Sequence, residues 1–189
     1  MWQYLIYDDM TRCTEADVER MKSLASKQRV EQAMRYKHCF GQWACLKSYE
    51  LLRQLLQTDI PVDFCYNEYG KPYLTSVVAQ QFAMPFFSIS HCKDAIAVVV
   101  SDREVGIDVE SRHRHTTDSL VESVMNENEQ EYIASRPEQD TAFIELWTKK
   151  EAVLKQRGTG ITDHLKNVLK GNEHIETLLF DNYIVSICI

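Results

Sequence analysis

The residues with the most chemical potential lie in four short stretches. The first is Gly106-Ile107-Asp108-Val109-Glu110. Read as a strand, its alternate side chains share a face. Asp108 and Glu110 then point one way, and Ile107 and Val109 enter a core. Two carboxylates on one face repel unless a cation lies between them. Mg²⁺ takes such oxygens and keeps positions open for phosphate and water. Taken alone, an exposed edge strand with a solvated acidic face explains the segment better, because D-x-E is short and common.

The second stretch is Trp147-Thr148-Lys149-Lys150-Glu151-Ala152-Val153-Leu154-Lys155. On a helix, Glu151 and Lys155 are i,i+4 neighbours, with Trp147 and Leu154 on their side. They make either a surface ion pair, worth roughly 0.3–0.5 kcal/mol, or a third carboxylate and a cation beside a metal-bound phosphate. The third is Phe87-Ser88-Ile89-Ser90-His91. A histidine that follows a strand can donate to a phosphate oxygen or to backbone in a turn. The fourth is Tyr69-Gly70-Lys71-Pro72. Its glycine admits a ligand close to the backbone and its proline stiffens the loop, as in many ordinary turns.

In this order, the four stretches closely resemble the 4′-phosphopantetheinyl transferase superfamily, in its long, single-chain, surfactin-synthetase-activating (Sfp-type) branch. The G-I-D-V-E and W-x-x-K-E-A-x-x-K pair at this separation is highly specific for that family, and the resemblance covers about residues 29–161. It implies an α+β fold, a pseudodimer of two similar α/β lobes with the active site between them. It also implies a holo-[acyl-carrier-protein] synthase. Such an enzyme moves the 4′-phosphopantetheine arm of coenzyme A to a serine hydroxyl of an apo acyl or peptidyl carrier protein and releases adenosine 3′,5′-bisphosphate.

By motif position the resemblance assigns Asp108, Glu110 and Glu151 to Mg²⁺, for which Mn²⁺ can substitute. Asp108, Glu151 and Lys155 form the implied catalytic set. Glu151, or a water it orients, takes the serine proton, and Lys155 pairs with the pyrophosphate. His91 contacts the coenzyme A phosphates, Ser90 shapes the same pocket, and Gly70-Lys71-Pro72 lies along the adenine. The N-terminal half matches less closely. Where the family often has an arginine before its small-x-x-L-L-R stretch, this chain has Gln42-Trp43-Ala44. For the 3′-phosphate, Lys37 is the first choice and Lys47 the second, among Lys27, Arg29, Arg35 and His38. Arg112-His113-Arg114-His115 offers a rim for an acidic carrier protein.

Composition sets the frame for these residues. The chain has 189 residues, with Lys+Arg 21 against Asp+Glu 28 and a net charge of −7. An acidic balance argues against a nucleic-acid partner. The apolar runs are too short to span a membrane, and Met1 to Met10 does not read as a signal peptide. Six cysteines show no C-x-x-C pair, so they read as reduced thiols of a cytoplasmic protein, without zinc. Two rivals remain: another Mg²⁺-dependent phosphoryl-transfer enzyme, or a non-catalytic binder of coenzyme A or a carrier. Restriction-type nucleases place their lysine two residues after the acid on a strand. Here the spacing is four, on a helix.

Local patterns predict the elements that must position these groups. Strands are expected at Trp2 to Tyr7, Val62 to Tyr66, Phe86 to Ser90, Ala95 to Ser101 and Val105 to Glu110. Thr14 opens a helix as a capping residue, and a second helical stretch runs from about Gln28 to Gln57. Helices follow at Asp118 to Met125, after Asn126, and at Thr141 to Gln156. Pro137 stands in a first turn and Gly158 forms a C-terminal cap. A hairpin, Ile175 to Phe180 and Tyr183 to Ile189, closes the chain. The order strand, helices, strands occurs twice, which predicts lobes at 1–102 and 103–189 that pack as one unit. A monomer is expected, since the pseudodimer already completes the site.

Overall fold

The computed structural model describes residues 1–160 and 165–189. Ile161, where the family resemblance ends, lies outside the described residues. The N-terminal half holds β1 (Trp2–Tyr7), α1 (Glu15–Lys22), α2 (Lys27–Ala33), α3 (Cys39–Leu55), the short hairpin β2 (Cys65–Tyr66) and β3 (Pro72–Tyr73), α4 (Ser76–Ala79), β4 (Phe86–His91) and β5 (Ile96–Ser101). The C-terminal half holds β6 (Gly106–Ser111), α5 (Asp118–Val124), α6 (Glu127–Ala134), α7 (Gln139–Arg157), β7 (Ile175–Leu179) and β8 (Tyr183–Cys188). The result is a mixed α+β fold.

Each half builds a three-stranded antiparallel sheet in the same pattern. The orders are β1-β5-β4 and β6-β8-β7, so the first strand pairs with the last and the middle strand lies outside. β5 explains how the halves stay together. All six of its residues are buried. One face, Ile96, Val98 and Val100, packs under α3 with Trp43, Leu46, Tyr49 and Leu52. The other face, with Ala95, Ala97 and Val99, joins Ile107 and Val109 of β6 and Val185 and Ile187 of β8. A strand apolar on both faces needs cover on both sides, and here each half supplies one cover.

The expected helix from Gln28 to Gln57 is two helices, α2 and α3, broken at residues 34–38. The reason is Arg29. Its buried guanidinium donates to the Cys45 carbonyl at 3.0 and 2.7 Å and to Ser48 Oγ at 2.9 Å. On a continuous helix Cys45 would lie roughly 24 Å along the axis. The chain must fold back for Arg29 to reach it. Val62 to Tyr66 shrinks to the two residues of β2, because Val62 N–H donates to Tyr49 Oη at 2.8 Å and Phe64 N–H to Gln28 Oε1 at 2.7 Å. Side chains take the bonds a strand ladder would have used. Pro137 precedes α7 rather than starting it, since Glu138 is the N-cap. Thr14 and Asn126 cap α1 and α6 as expected, Asn126 in a full capping box with Glu129. Gly158 ends α7 in the left-handed conformation at φ 67°, where a glycine avoids the Cβ penalty.

Candidate active site

The site forms where β4 of one half meets β6 of the other. Two serines of β4 bridge the junction. Ser88 Oγ accepts the Ile107 N–H at 3.1 Å, and Ser90 Oγ donates to Asp108 Oδ1 at 2.8 Å. Ser88 and Ser90 share a strand face, so one alternation serves both bonds. On β6, Ile107 and Val109 enter the shared core. Asp108 and Glu110 take the opposite face, which α7 covers.

The close approach of α7 depends on Gly106. A Cβ at that position would lie 1.9 Å from the Ala152 carbonyl oxygen and 2.4 Å from the Gln156 backbone nitrogen. These are backbone atoms of α7, so no side-chain rotation relieves the clash. The glycine sets how near Glu151 and Lys155 come to Asp108. Gly106→Ala is expected to cost about 1–3 kcal/mol from overpacking. It should also lower any activity of the site by roughly 10²-fold through misplacement. Urea denaturation and a turnover assay check both. A variant with wild-type turnover would mean that the separation of α7 from β6 is not critical.

The charges at the junction are concentrated and mostly dry. Asp108 is 4 % exposed. Lys155 Nζ donates to Asp108 Oδ1 at 2.6 Å and to Ser90 Oγ at 2.8 Å. Glu110 lies 3.7 Å from the Arg114 guanidinium and receives a hydrogen bond from Trp147. Burial, then the Asp108 charge, pushes both Glu110 and Glu151 above the ordinary carboxylate range. Asp108 Oδ2 and Glu151 Oε1 are buried and meet no hydrogen-bond partner. Orphaned acceptors in a dry, repulsive cluster suit a hard divalent cation. Among the described residues no three acidic, histidine or cysteine groups form a finished metal cage. The two orphaned oxygens and the mutual repulsion of Asp108, Glu110 and Glu151 are the features that suit Mg²⁺, with Lys155 supplying the balancing charge on Asp108.

This electrostatic state has a pH signature. A carboxyl whose folded pKa lies above its unfolded value binds more protons in the native state, so stability falls as pH rises from about the unfolded value of 4.5 toward the raised folded one. Metal-free protein should lose melting temperature across this interval, and Glu151→Gln should lose less. Mg²⁺ should raise the melting temperature more at pH 7 than at pH 5. Identical pH slopes for wild type and Glu151→Gln in differential scanning fluorimetry would refute the strained-carboxylate account.

His91 ends β4 beside this cluster, with the Phe40 ring edge-on at 6.3 Å. Burial first, and then the Lys155 and Arg29 charges, pushes His91 below the ordinary histidine value. It stands neutral near pH 7, beside cations that would welcome an anion. At Glu151 and Lys155 opens a cavity of about 300 Å³, lined also by Gly70, Lys71, Pro72 and Phe87, among others. The loop that walls it is tied to the end of α7. Asn67 Nδ2 donates to the Gly158 carbonyl at 2.8 Å, Lys71 Nζ donates to the Gln156 carbonyl at 2.8 Å, and Lys71 also pairs with Glu104. A wider concavity of about 1000 Å³ lies by α6 and residues 166–170, away from the carboxylates.

The structure thus brings together Asp108, Glu110, Glu151, Lys155, Ser90 and His91, with Gly70, Lys71 and Pro72 on the adjoining cavity. It does not bring Lys47 to them. The Lys47 ammonium pairs with Glu50 at 2.7 Å and rests 4.3 Å from the Tyr7 ring centre. Lys37 is exposed in the turn between α2 and α3. Arg29 is spent inside the helical layer. In the expected rim, Arg112 pairs with Glu138, His113 meets Asn182 and His115 meets Asp140, while Arg114 faces Glu110.

Sequence reasoning missed three contributors: Gly106, Ser88 and Lys150. Gly106 stands inside the G-I-D-V-E motif, but only a structure shows that α7 crosses there. Ser88 carried one signal, its i,i+2 spacing from Ser90. Lys150 is fully buried and points away from the site. Its ammonium donates to Glu129 at 2.7 Å and to the Val124 and Leu165 carbonyls at 3.0 and 2.8 Å. It holds α7 to the helical layer behind it.

Residues 104–184 match the 4′-phosphopantetheinyl transferase superfamily. The chain is 42% identical over 100 residues to 4′-phosphopantetheinyl transferase AcpT of Salmonella typhimurium, covering 51% of this chain and 50% of that protein. It is 28% identical over 167 residues to 4′-phosphopantetheinyl transferase gsp of Aneurinibacillus migulanus, covering 85% and 67%. It is 27% identical over 189 residues to a 4′-phosphopantetheinyl transferase of Bacillus subtilis, covering 95% and 82%. The alignment with the Salmonella protein thus spans about half of that relative's length.

Proposed function

We propose that this chain, whose residues 104–184 match the 4′-phosphopantetheinyl transferase superfamily, transfers 4′-phosphopantetheine from coenzyme A to a serine of an apo carrier protein. The observation that carries this reading is the junction of β4, β6 and α7. There Lys155 bonds Ser90 and Asp108, and Glu110 and Glu151 both feel the Asp108 charge, beside a cavity of nucleoside size. We take residues 1–102 and 103–189 as the two lobes of a monomer working in the cytoplasm. The repeated sheet order supports the division. Among the described residues no helix is long and apolar enough to cross a membrane.

Each residue has a physical task. Attack on a phosphodiester builds charge on oxygens that are already anionic, so cations at fixed positions lower the barrier most. Lys155 is one such cation, locked by Asp108 and Ser90. His91 is neutral in the free protein, and a phosphate beside it would draw a proton back to the ring and add a second. Asp108, Glu110 and Glu151 would hold Mg²⁺, which supplies further charge neutralisation when bound. Glu151 lines the cavity and is placed for removal of the serine proton, directly or through a water it orients. The Asn67–Pro72 loop, tied to α7, would place the adenine.

The test is intact-mass spectrometry of apo carrier proteins incubated with this protein, coenzyme A and Mg²⁺. The expected result is a gain of one phosphopantetheine on at least one class among fatty-acid, polyketide and peptide-synthase carriers, absent with Asp108→Ala. No gain on any class, with coenzyme A binding shown by calorimetry, would identify a non-catalytic binder instead.

A further inference from the structure

The six cysteines are not equivalent. Cys13 follows the 3₁₀ turn after β1, and Cys39 is the first residue of α3. Twenty-six positions apart in sequence, their sulfurs lie 3.9 Å apart, with the Cys13 thiol directed at Cys39. Both side chains are partly buried, neither sealed in the core nor fully open. Of the other four, Cys45 and Cys188 are buried. Cys188 Sγ donates to Gln156 Oε1 at 3.3 Å, and Cys92 lies in the tight β4–β5 turn.

We propose that Cys13 and Cys39 are a dithiol modification site that closes to an intramolecular disulfide under an oxidising thiol pool and clamps the first turn of α3 to the segment after β1. A disulfide needs sulfurs about 2.05 Å apart. Closure therefore requires the two sulfurs to approach by about 1.9 Å. The co-reactant is a small-molecule disulfide such as oxidised glutathione. The Cys39 sulfur, as thiolate, attacks it and expels one glutathione thiolate, which takes up the proton Cys39 lost. Cys13 then attacks Cys39 Sγ, breaks the mixed disulfide and releases a second glutathione. Two protein thiols are oxidised and one glutathione disulfide is reduced to two thiols. Burial and the neighbouring Cys39 push the Cys13 thiol up to about 11. Cys13 therefore rests protonated near neutral pH and acts second.

The clamp has a local consequence. Phe40, next to Cys39, leans on His91. Tethering Cys39 holds the α3 turn from which Phe40 projects. The inference stands on the two sulfurs alone and is independent of the transfer reaction.

The experiment equilibrates the full chain in glutathione buffers of graded redox ratio, traps free thiols with iodoacetamide in denaturant, and reads intact mass and a peptide map. Oxidised wild type should show one crosslink, Cys13 to Cys39, with the other four cysteines alkylated. Cys13→Ser and Cys39→Ser should each show none. Amide exchange across residues 39–43 should slow in the oxidised form, and its melting temperature should rise by several degrees relative to the reduced form. Both serine variants should be insensitive to the redox ratio. A crosslink between another pair, stable glutathione adducts without a crosslink, or unchanged exchange at the start of α3 would overturn the proposal.

Discussion

Glu151→Gln is expected to lower phosphopantetheine transfer by roughly 10²–10⁴-fold, the usual contribution of a positioned general base, while raising the melting temperature of the metal-free protein. The two effects share one cause. Glu151 Oε1 is buried without a hydrogen-bond partner, and the Asp108 charge faces it. A half-buried carboxylate with one orphaned oxygen and like charges beside it costs stability. The amide keeps the shape, removes the repulsion and abolishes the proton acceptor. If Asp108, Glu110 and Glu151 hold Mg²⁺ as proposed, affinity for the ion should weaken as well, because one of the three carboxylates is lost. Intact-mass transfer assays and scanning fluorimetry with and without Mg²⁺ read all three. A variant that is both inactive and less stable would show that Glu151 serves the fold rather than the reaction.

Lys150→Met should produce the opposite signature, a large loss of stability from a residue that never faces the cavity. Its ammonium is fully buried and satisfied by Glu129 and two carbonyls. Removing one partner of a buried pair leaves the other uncompensated, at a cost of about 3–5 kcal/mol. The Glu129 carboxylate would keep its bond from the Asn126 N–H at 2.8 Å but lose its counter-charge. Replacing both, Lys150→Met with Glu129→Leu, should recover most of the loss, since an apolar pair can substitute for a buried ion pair. Urea denaturation of the single and double variants measures the coupling. A single variant within about 1 kcal/mol of wild type would mean that the pair contributes little beyond its desolvation cost.

Much of this architecture was legible in the residues. Alternation placed Asp108 and Glu110 opposite Ile107 and Val109, and the structure shows that division. Caps at Thr14, Asn126 and Gly158 were readable because capping chemistry is local. The break between α2 and α3 was not, since no glycine or proline marks residues 34–38. It is imposed by Arg29 reaching across to Cys45 and Ser48, a tertiary demand with no local sign. The role of Lys150 was hidden for a similar reason. A lysine in a polar run reads as solvated until its partners on other elements are known. Lys37 and Lys47 show the converse limit: a cation count near a helix start does not say which way the ammonium turns.

Lys150 and Glu151 are consecutive, yet one is buried among carbonyls behind α7 and the other faces the carboxylates in front. Adjacent residues on a helix differ by about 100° of rotation. If α7 docked one residue out of register in one direction, Glu151 would be forced toward the Val124 and Leu165 carbonyls and Ala152 would stand in its place. In the other direction, Lys149 would take over the buried bonds and Lys150 would replace the Glu151 carboxylate. The first slip sets a carboxylate against carbonyl oxygens, and the second removes a carboxylate from the junction. The pair therefore works as a rotational key: each slip forfeits something different, and only the native register satisfies both locks.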